Sequence, residues 1–200
     1  MIYLYTGTPG SGKSLHMAKE IQWRLKHKKI TIANFEVNLK GYEDAEKNFI
    51  YKENGEITPE FLKDFSREYY KTHKFKENGI CLYLDESQIL FNARDWMQKG
   101  RENWLSFFTQ HRKYGYLIVL VAQFDRMIDR QVRSLVEYEY VHRKISNIGT
   151  KGFLMNAFAG GSLFISVEKW YPMKEKVGHK FFKGKKSLYE FYNSYGDFSV

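Results

Sequence analysis

The residues with the clearest chemical promise are Gly7-Thr8-Pro9-Gly10-Ser11-Gly12-Lys13-Ser14, a match to G-x-x-x-x-G-K-[ST]. Glycine tolerates positive φ, so a glycine-rich loop can curl until successive N–H groups point inward at phosphate oxygens. Thr8, Pro9, Gly10, Ser11, Gly12, Lys13, Ser14 and Leu15 would then wrap a polyphosphate. Lys13 would reach the β- and γ-phosphates, and the Ser14 hydroxyl would ligate Mg²⁺. The helix that follows would offer its unpaired N–H groups to the same anions. The cofactors this pattern calls for are ATP and Mg²⁺.

Two carboxylates complete the pattern. Asp85 and Glu86 end the continuous apolar run Ile80-Cys81-Leu82-Tyr83-Leu84. Beside a phosphate loop, Asp85 would hold Mg²⁺ through water, opposite Ser14. Glu86 would orient and deprotonate the water that attacks the γ-phosphate. Gln123 ends the next apolar run, Leu117–Ala122, where its amide can bond that water or the γ-phosphate. Charge on the γ-phosphoryl group grows in the transition state, and an arginine from a neighbouring subunit can stabilise it. Arg133, after the turn that follows Gln123, is the first candidate and Arg112 the second, both expected on the nucleotide side; Arg126 and Arg130 are further choices. Together these residues read as an ATP hydrolase acting as a homo-oligomeric ring, a hexamer.

Periodicity predicts the elements that must position them. Ile2–Tyr5 reads as a strand before the loop. A helix runs from Ser14 to about Lys28, with Leu15, Ala18, Ile21 and Leu25 at helical spacing. Ile30–Ala33 is a second strand, and residues 34–51 read as irregular. Thr58-Pro59-Glu60 has the composition of a helix start. Ile80–Leu84 and Leu117–Ala122 read as central strands of a parallel sheet, buried on both faces. Between them a helix is expected from Gln98 to about Gly115, a suitable C-cap. Asp125 to Arg133 reads as a short helix or turn. Beyond it, Leu135–Lys144 and Gly160–Tyr171 suggest a small antiparallel β element, and a short helix falls around Leu188–Tyr192. The predicted class is α/β: a P-loop NTPase three-layer sandwich with a mostly parallel central sheet and a small C-terminal β extension. Residues 1–200 form one domain, with the nucleotide-binding core to about residue 134 and a β-rich extension with a Tyr/Lys-rich tail from about 135.

Composition narrows the setting. The chain has 200 residues, 43% hydrophobic and 28% charged, as in soluble globular domains. Its one cysteine, Cys81, excludes an internal disulfide and a cysteine metal cluster, and suits a reducing cytoplasm. Within an apolar run it reads as a small buried hydrophobe. No stretch approaches the ~18–20 apolar residues that span a bilayer. The phosphate loop sits where a signal peptide would carry its apolar segment. The net charge of +9 permits an acidic partner, nucleic acid or an anionic membrane surface. Plentiful Lys, Tyr, Phe, Ile and Asn is equally what an A+T-rich genome encodes. His16, His27, His73, His111, His142 and His179 show no metal-ligand spacing.

Several of these motifs, in this order, resemble the zonular occludens toxin (Zot) family and the related morphogenesis proteins of filamentous phages. The resemblance is carried by Ile2 to Ser14, by Leu84-Asp85-Glu86, by Gln110-His111-Arg112-Lys113-Tyr114-Gly115, by Ala122-Gln123, and by Leu188-Tyr189-Glu190-Phe191-Tyr192-Asn193-Ser194-Tyr195. It implies a cytoplasmic ATPase domain that drives filamentous phage assembly and export at the cytoplasmic face of the inner membrane. Phage single-stranded DNA and coat or export proteins are the implied partners. Membrane attachment would come only through a segment not present in this chain, because family members follow this domain with a transmembrane helix and an outer domain. Other readings stay open: a DNA-translocating ATPase of the FtsK/HerA kind, a small-molecule kinase, or a non-catalytic interaction or toxin module. Glu86 and Gln123 suit water attack and speak against the kinase.

Overall fold

A computed structural model describes residues 1–93 and 100–192. Its strands are β1 Ile2–Thr6, β2 Thr31–Ala33, β3 Phe49–Tyr51, β4 Ile80–Leu84, β5 Tyr116–Val121, β6 Tyr138–Lys144, β7 Leu163–Trp170 and β8 Glu175–Lys183. They form one sheet in the order β3-β2-β4-β5-β1-β6-β7-β8. Pairing is parallel from β3 through β6, and antiparallel between β6 and β7 and between β7 and β8. The helices are α1 Lys13–Lys26, α2 Pro59–Thr72, α3 Arg101–Gln110, α4 Arg130–Ser134, α5 Gly149–Phe158 and α6 Lys186–Phe191.

Strand alternation sorts the core into two layers. Ile2, Leu4, Ile80, Leu82, Leu84, Ile118 and Leu120 point to one face and pack with Leu62 of α2, Phe107 and Phe108 of α3, and Val132 of α4. Tyr5, Cys81, Tyr83, Val119 and Val121 point to the other face, against Leu15, Met17, Ala18, Ile21 and Leu25 of α1 and Leu188 and Phe191 of α6. This is why β4 and the end of β5 read as unbroken apolar runs: both of their faces are covered. Cys81 is fully buried, and that burial raises its thiol to about 11.

Helix ends follow local chemistry. The Thr58 side chain accepts a hydrogen bond from Phe61 N–H at 3.1 Å, with Pro59 at the first helical position. Arg24 of α1 is buried and donates to Thr31 Oγ1, Ile30 O and Gly79 O, which pins the helix end to β2 and the approach to β4.

The structure departs from the sequence reading in four places. Residues 34–51 are not wholly irregular: a 3-10 turn, Glu43–Asn48, leads into β3, which pairs with β2. β6 is not part of an antiparallel element alone; on its inner edge it pairs parallel with β1. α5 and β8 were not expected. α5 carries its apolar residues outward, with Phe153, Leu154, Met155 and Phe158 exposed, so it shows no buried stripe to detect. β8 is an exposed outer strand whose lysines mask its alternation. The expected helix start at Gln98, and Asn193, Ser194 and Tyr195 of the closing box, lie outside the described residues.

Two-sided burial of β4 has a measurable consequence. Leu82→Ala should lower unfolding free energy by about 2–5 kcal/mol in urea denaturation. A loss under about 1 kcal/mol would contradict a strand covered on both faces.

Candidate functional site

The site forms because β5 lies between β1 and β4, all three parallel. Register aligns Tyr5 with Val121 and Leu84 with Leu120, so the three strands end together. The phosphate loop, Gln123 and Asp85-Glu86 therefore emerge side by side at one edge. Gly7 N–H donates to Gln123 O at 3.1 Å, and Ala122 N–H to Tyr5 O at 3.0 Å. On the other side Ser87 N–H donates to Val121 O at 2.8 Å, and Ser87 Oγ accepts from Val121 N–H at 3.0 Å.

The loop has the conformation its glycines allow. Gly7 has φ +145°, and a Cβ there would lie 2.5 Å from Ser11 Oγ and 2.6 Å from His142 O. Gly12, at the N-cap of α1, has φ +96°, and a Cβ there would lie 2.7 Å from the Phe164 ring. The Ser11 hydroxyl is buried with no hydrogen-bond partner. Lys13 folds back over the loop: its Nζ donates to Gly7 O at 2.6 Å and to Thr8 O at 3.4 Å. Burial lowers the Lys13 pKa, while Asp85 and Glu86 pull it upward, so the two carboxylates share this ammonium's surroundings. Thr8, Pro9 and Gly10 are exposed, Ser14 is half-buried, and the Leu15 side chain points into the core, leaving that residue only its backbone for a ligand.

Asp85 is held from several directions. Its N–H donates to Asn34 Oδ1 at 2.7 Å, and Asn34 Nδ2 donates back to Asp85 O at 2.8 Å. Asp85 Oδ1 accepts from Glu86 N–H at 2.9 Å, and Oδ2 accepts from the Tyr192 hydroxyl at 2.6 Å. Glu86 is exposed and takes φ +49°, a conformation that disfavours a side chain. Its carboxylate accepts a hydrogen bond from Gln88 Nε2. Among the described residues no three His, Cys, Asp or Glu converge as a self-contained metal site. One carboxylate and one hydroxyl fit Mg²⁺, which is usually completed by phosphates and water. The curled loop with its unpartnered Ser11 hydroxyl fits the phosphates.

Beneath the loop lies a buried histidine pair. His142 Nδ1–H donates to Thr6 O at 3.1 Å, so its Nε2 accepts from His16 Nδ1–H at 2.8 Å, an assignment made from the hydrogen-bond network. Burial pushes His16 down to about 4, with Lys180 and Lys19 adding to it, and His142 down to about 3, with His16 adding to it. Both rings are neutral at pH 7.

The two nominated arginines are placed differently. Arg133, on α4, lies 3.9 Å from Asp125, and Asp125 lines the groove beside the loop. Arg112 is not on the nucleotide side, contrary to expectation: it precedes β5, and its guanidinium pairs with Glu137 at 2.7 Å and Glu77 at 3.6 Å near the chain's amino terminus. The groove, about 490 Å³, runs past Gly7, Thr8, Gln123 and Phe124 to Arg143, Lys144 and Lys169. Asn34, Ser87, Tyr192, Arg143 and Lys144 escaped the sequence reading. No motif marks the first two or the last two, which strand order brings here; Tyr192 stands in the Tyr-rich box, but only the docking of α6 brings its hydroxyl to Asp85.

The family model for zonular occludens toxin (Zot) matches residues 1–197. The chain belongs to the Zot family. It is 29% identical over 169 residues to the Gene 1 protein of Salmonella phage IKe, covering 81% of this chain and 46% of that protein. The chain thus spans just under half the length of this curated relative. The N-terminal domain of zonular occludens toxin from Neisseria meningitidis superposes with a TM-score of 0.54 at 20% identity, over 96% of this chain and 97% of that domain. B204, the DNA-packaging ATPase from Sulfolobus Turreted Icosahedral Virus, superposes with a TM-score of 0.58 at 16% identity, over 92% and 97%. This Zot-family chain has the P-loop NTPase fold.

The histidine pair makes stability depend on pH. Each ring binds a proton more readily in the unfolded chain, so its contribution is complete above pH ~6.5 and is lost as pH falls toward 4. Unfolding free energy should drop by about 1 kcal/mol or more between pH 6.5 and 5.5. His142→Gln should flatten that slope in urea titrations at the two pH values; an unchanged slope would assign the effect elsewhere.

Proposed function

We propose that this chain is a Mg²⁺-dependent ATPase that powers filamentous phage assembly and export from the cytoplasmic face of the inner membrane. The observation that carries the catalytic part is the flush ending of three parallel strands. It brings the phosphate loop, Gln123 and Asp85-Glu86 to one edge. Family membership and the Gene 1 relative support the biological part. Among the described residues no helix is long and apolar enough to cross a membrane.

In this reading the loop N–H groups bind the phosphates, and Lys13 exchanges its bonds to Gly7 O and Thr8 O for phosphate oxygens. Ser14 and Asp85 would hold Mg²⁺, which would supply positive charge to offset that of the phosphates. Glu86 leaves the Gln88 amide and accepts the proton of the attacking water, while Gln123 orients that water. The γ-phosphoryl group then passes to water and ADP departs.

The neighbour's arginine remains part of the proposal, with Arg133 the better placed of the two. Arg112 would first have to break two ion pairs at the opposite end of the sheet. The ring itself, and single-stranded DNA with coat or export proteins as its cargo, belong to the same reading. The basic wall of Arg143, Lys144 and Lys169 beside the groove suits a polyanion.

Two substitutions test the catalytic reading. Lys13→Ala should abolish ATP binding in equilibrium titrations. Glu86→Gln should keep ATP binding and lose turnover by about 10²–10⁴-fold. Turnover within a few-fold of the parent would remove Glu86 from the base role, and unchanged ATP affinity in Lys13→Ala would remove the loop from the nucleotide.

A further inference from the structure

Tyr192 is a residue the proposed mechanism does not use, yet it reaches the centre of the site. Its hydroxyl donates to Asp85 Oδ2 at 2.6 Å across 107 residues of sequence. The contact is built rather than incidental. Leu188 and Phe191 anchor α6 in the core layer of α1. Asn38 N–H donates to Phe191 O at 2.8 Å, the Tyr42 and Phe191 rings meet at 5.6 Å, and the Tyr192 ring packs edge-on against Phe35 at 4.7 Å. Phe35 follows Asn34, whose side chain grips the Asp85 backbone in both directions. Asn34 therefore fixes the main chain of Asp85, and Tyr192 fixes the end of its side chain.

We infer that Tyr192 is a positioning residue for Asp85, setting the carboxylate for Mg²⁺ and coupling the seating of α6 to Mg²⁺–nucleotide binding. This rests on the reading of Asp85 as the Mg²⁺ ligand. The bonding capacity allows it. Each Asp85 oxygen accepts one hydrogen bond, from Glu86 N–H or from Tyr192, and a carboxylate oxygen has a second acceptor site for a metal-bound water. The hydroxyl removes rotational freedom from a carboxylate that would otherwise have to be ordered on binding. Outer hydrogen bonds of this kind typically change metal affinity by about 10–100-fold. Coupling is reciprocal: if α6 sets Asp85, Mg²⁺–nucleotide must steady α6.

The test is binding of a fluorescent, non-hydrolysable ATP analogue to the parent protein, Tyr192→Phe and Tyr189→Phe, titrated with Mg²⁺ and repeated in EDTA. Tyr189, on α6 just before Tyr192, is exposed, and its hydroxyl lies over Gly184. Tyr192→Phe keeps the ring and should need about 10–100-fold more Mg²⁺, with analogue affinity in EDTA unchanged. Tyr189→Phe should match the parent. Hydrogen exchange over residues 186–192 should slow when Mg²⁺–analogue binds the parent, and not in Tyr192→Phe. An unchanged Mg²⁺ requirement in Tyr192→Phe, a tighter one, or an equal loss of affinity in EDTA each overturns the positioning role. If the parent itself shows no Mg²⁺ dependence, the assignment of Asp85 fails and this inference fails with it.

Discussion

The double-sided hydrogen bonding of β5 is the constraint on which the site depends. β5 pairs in parallel with β1 on one edge and β4 on the other. Its residues are apolar toward both faces, so hydrophobic patterning alone does not fix its register. A one-residue slip would exchange Ile118 and Leu120 with Val119 and Val121, at modest cost in burial. The polar contacts at the strand ends supply what patterning leaves open. Ser87 engages both the N–H and the carbonyl of Val121, and Gly7 N–H engages Gln123 O. Buried polar groups left unmatched cost about 1–3 kcal/mol each, enough to select one register. The same bonds that lock the sheet therefore set the spacing between loop, amide and carboxylates.

Around that frame the site stores polar groups in unrelaxed arrangements. Lys13 rests on loop carbonyls, Ser11 Oγ is buried without a partner, and Glu86 holds a left-handed backbone. Each would relax at little cost in an ordinary turn. Here the flanking strands and Ser87 keep them in place. The neutral histidine pair underneath adds no charge to the loop's floor. The favourable potential for a phosphate then comes from N–H groups, the α1 terminus and Lys13. In the proposed mechanism Asp85, on the far side, would hold the metal without competing for the phosphates.

How much of this the sequence carried depended on whether the signal was local. Gly7 to Ser14, the Thr58-Pro59 helix start, and the runs at Ile80–Leu84 and Leu117–Ala122 are short patterns with local causes, and they fold as expected within a residue or two. The parallel sheet followed from them. β8 and α5 escaped because neither buries a regular face: their exposed residues leave no periodicity to read. The pairing of β6 with β1 is non-local and has no local signature. Arg112 illustrates the same limit. It is close in sequence to the strand that ends in Gln123, but a strand has two ends, and Arg112 lies at the wrong one. Tyr192 sits in a box that marks the family, yet its contact with Asp85 is visible only once α6 is docked.

A structure determined with Mg²⁺ and ATPγS bound would test the central claim most directly, because it reads the position of every group at once. The account predicts the phosphates inside the curl of residues 7–14. It also predicts Lys13 Nζ moved from Gly7 O to a phosphate oxygen, Ser14 and Asp85 on opposite sides of Mg²⁺, and Glu86 and Gln123 converging on one water beyond the γ-phosphate. A nucleotide bound elsewhere, or Lys13 still on Gly7 O beside an occupied loop, would contradict it.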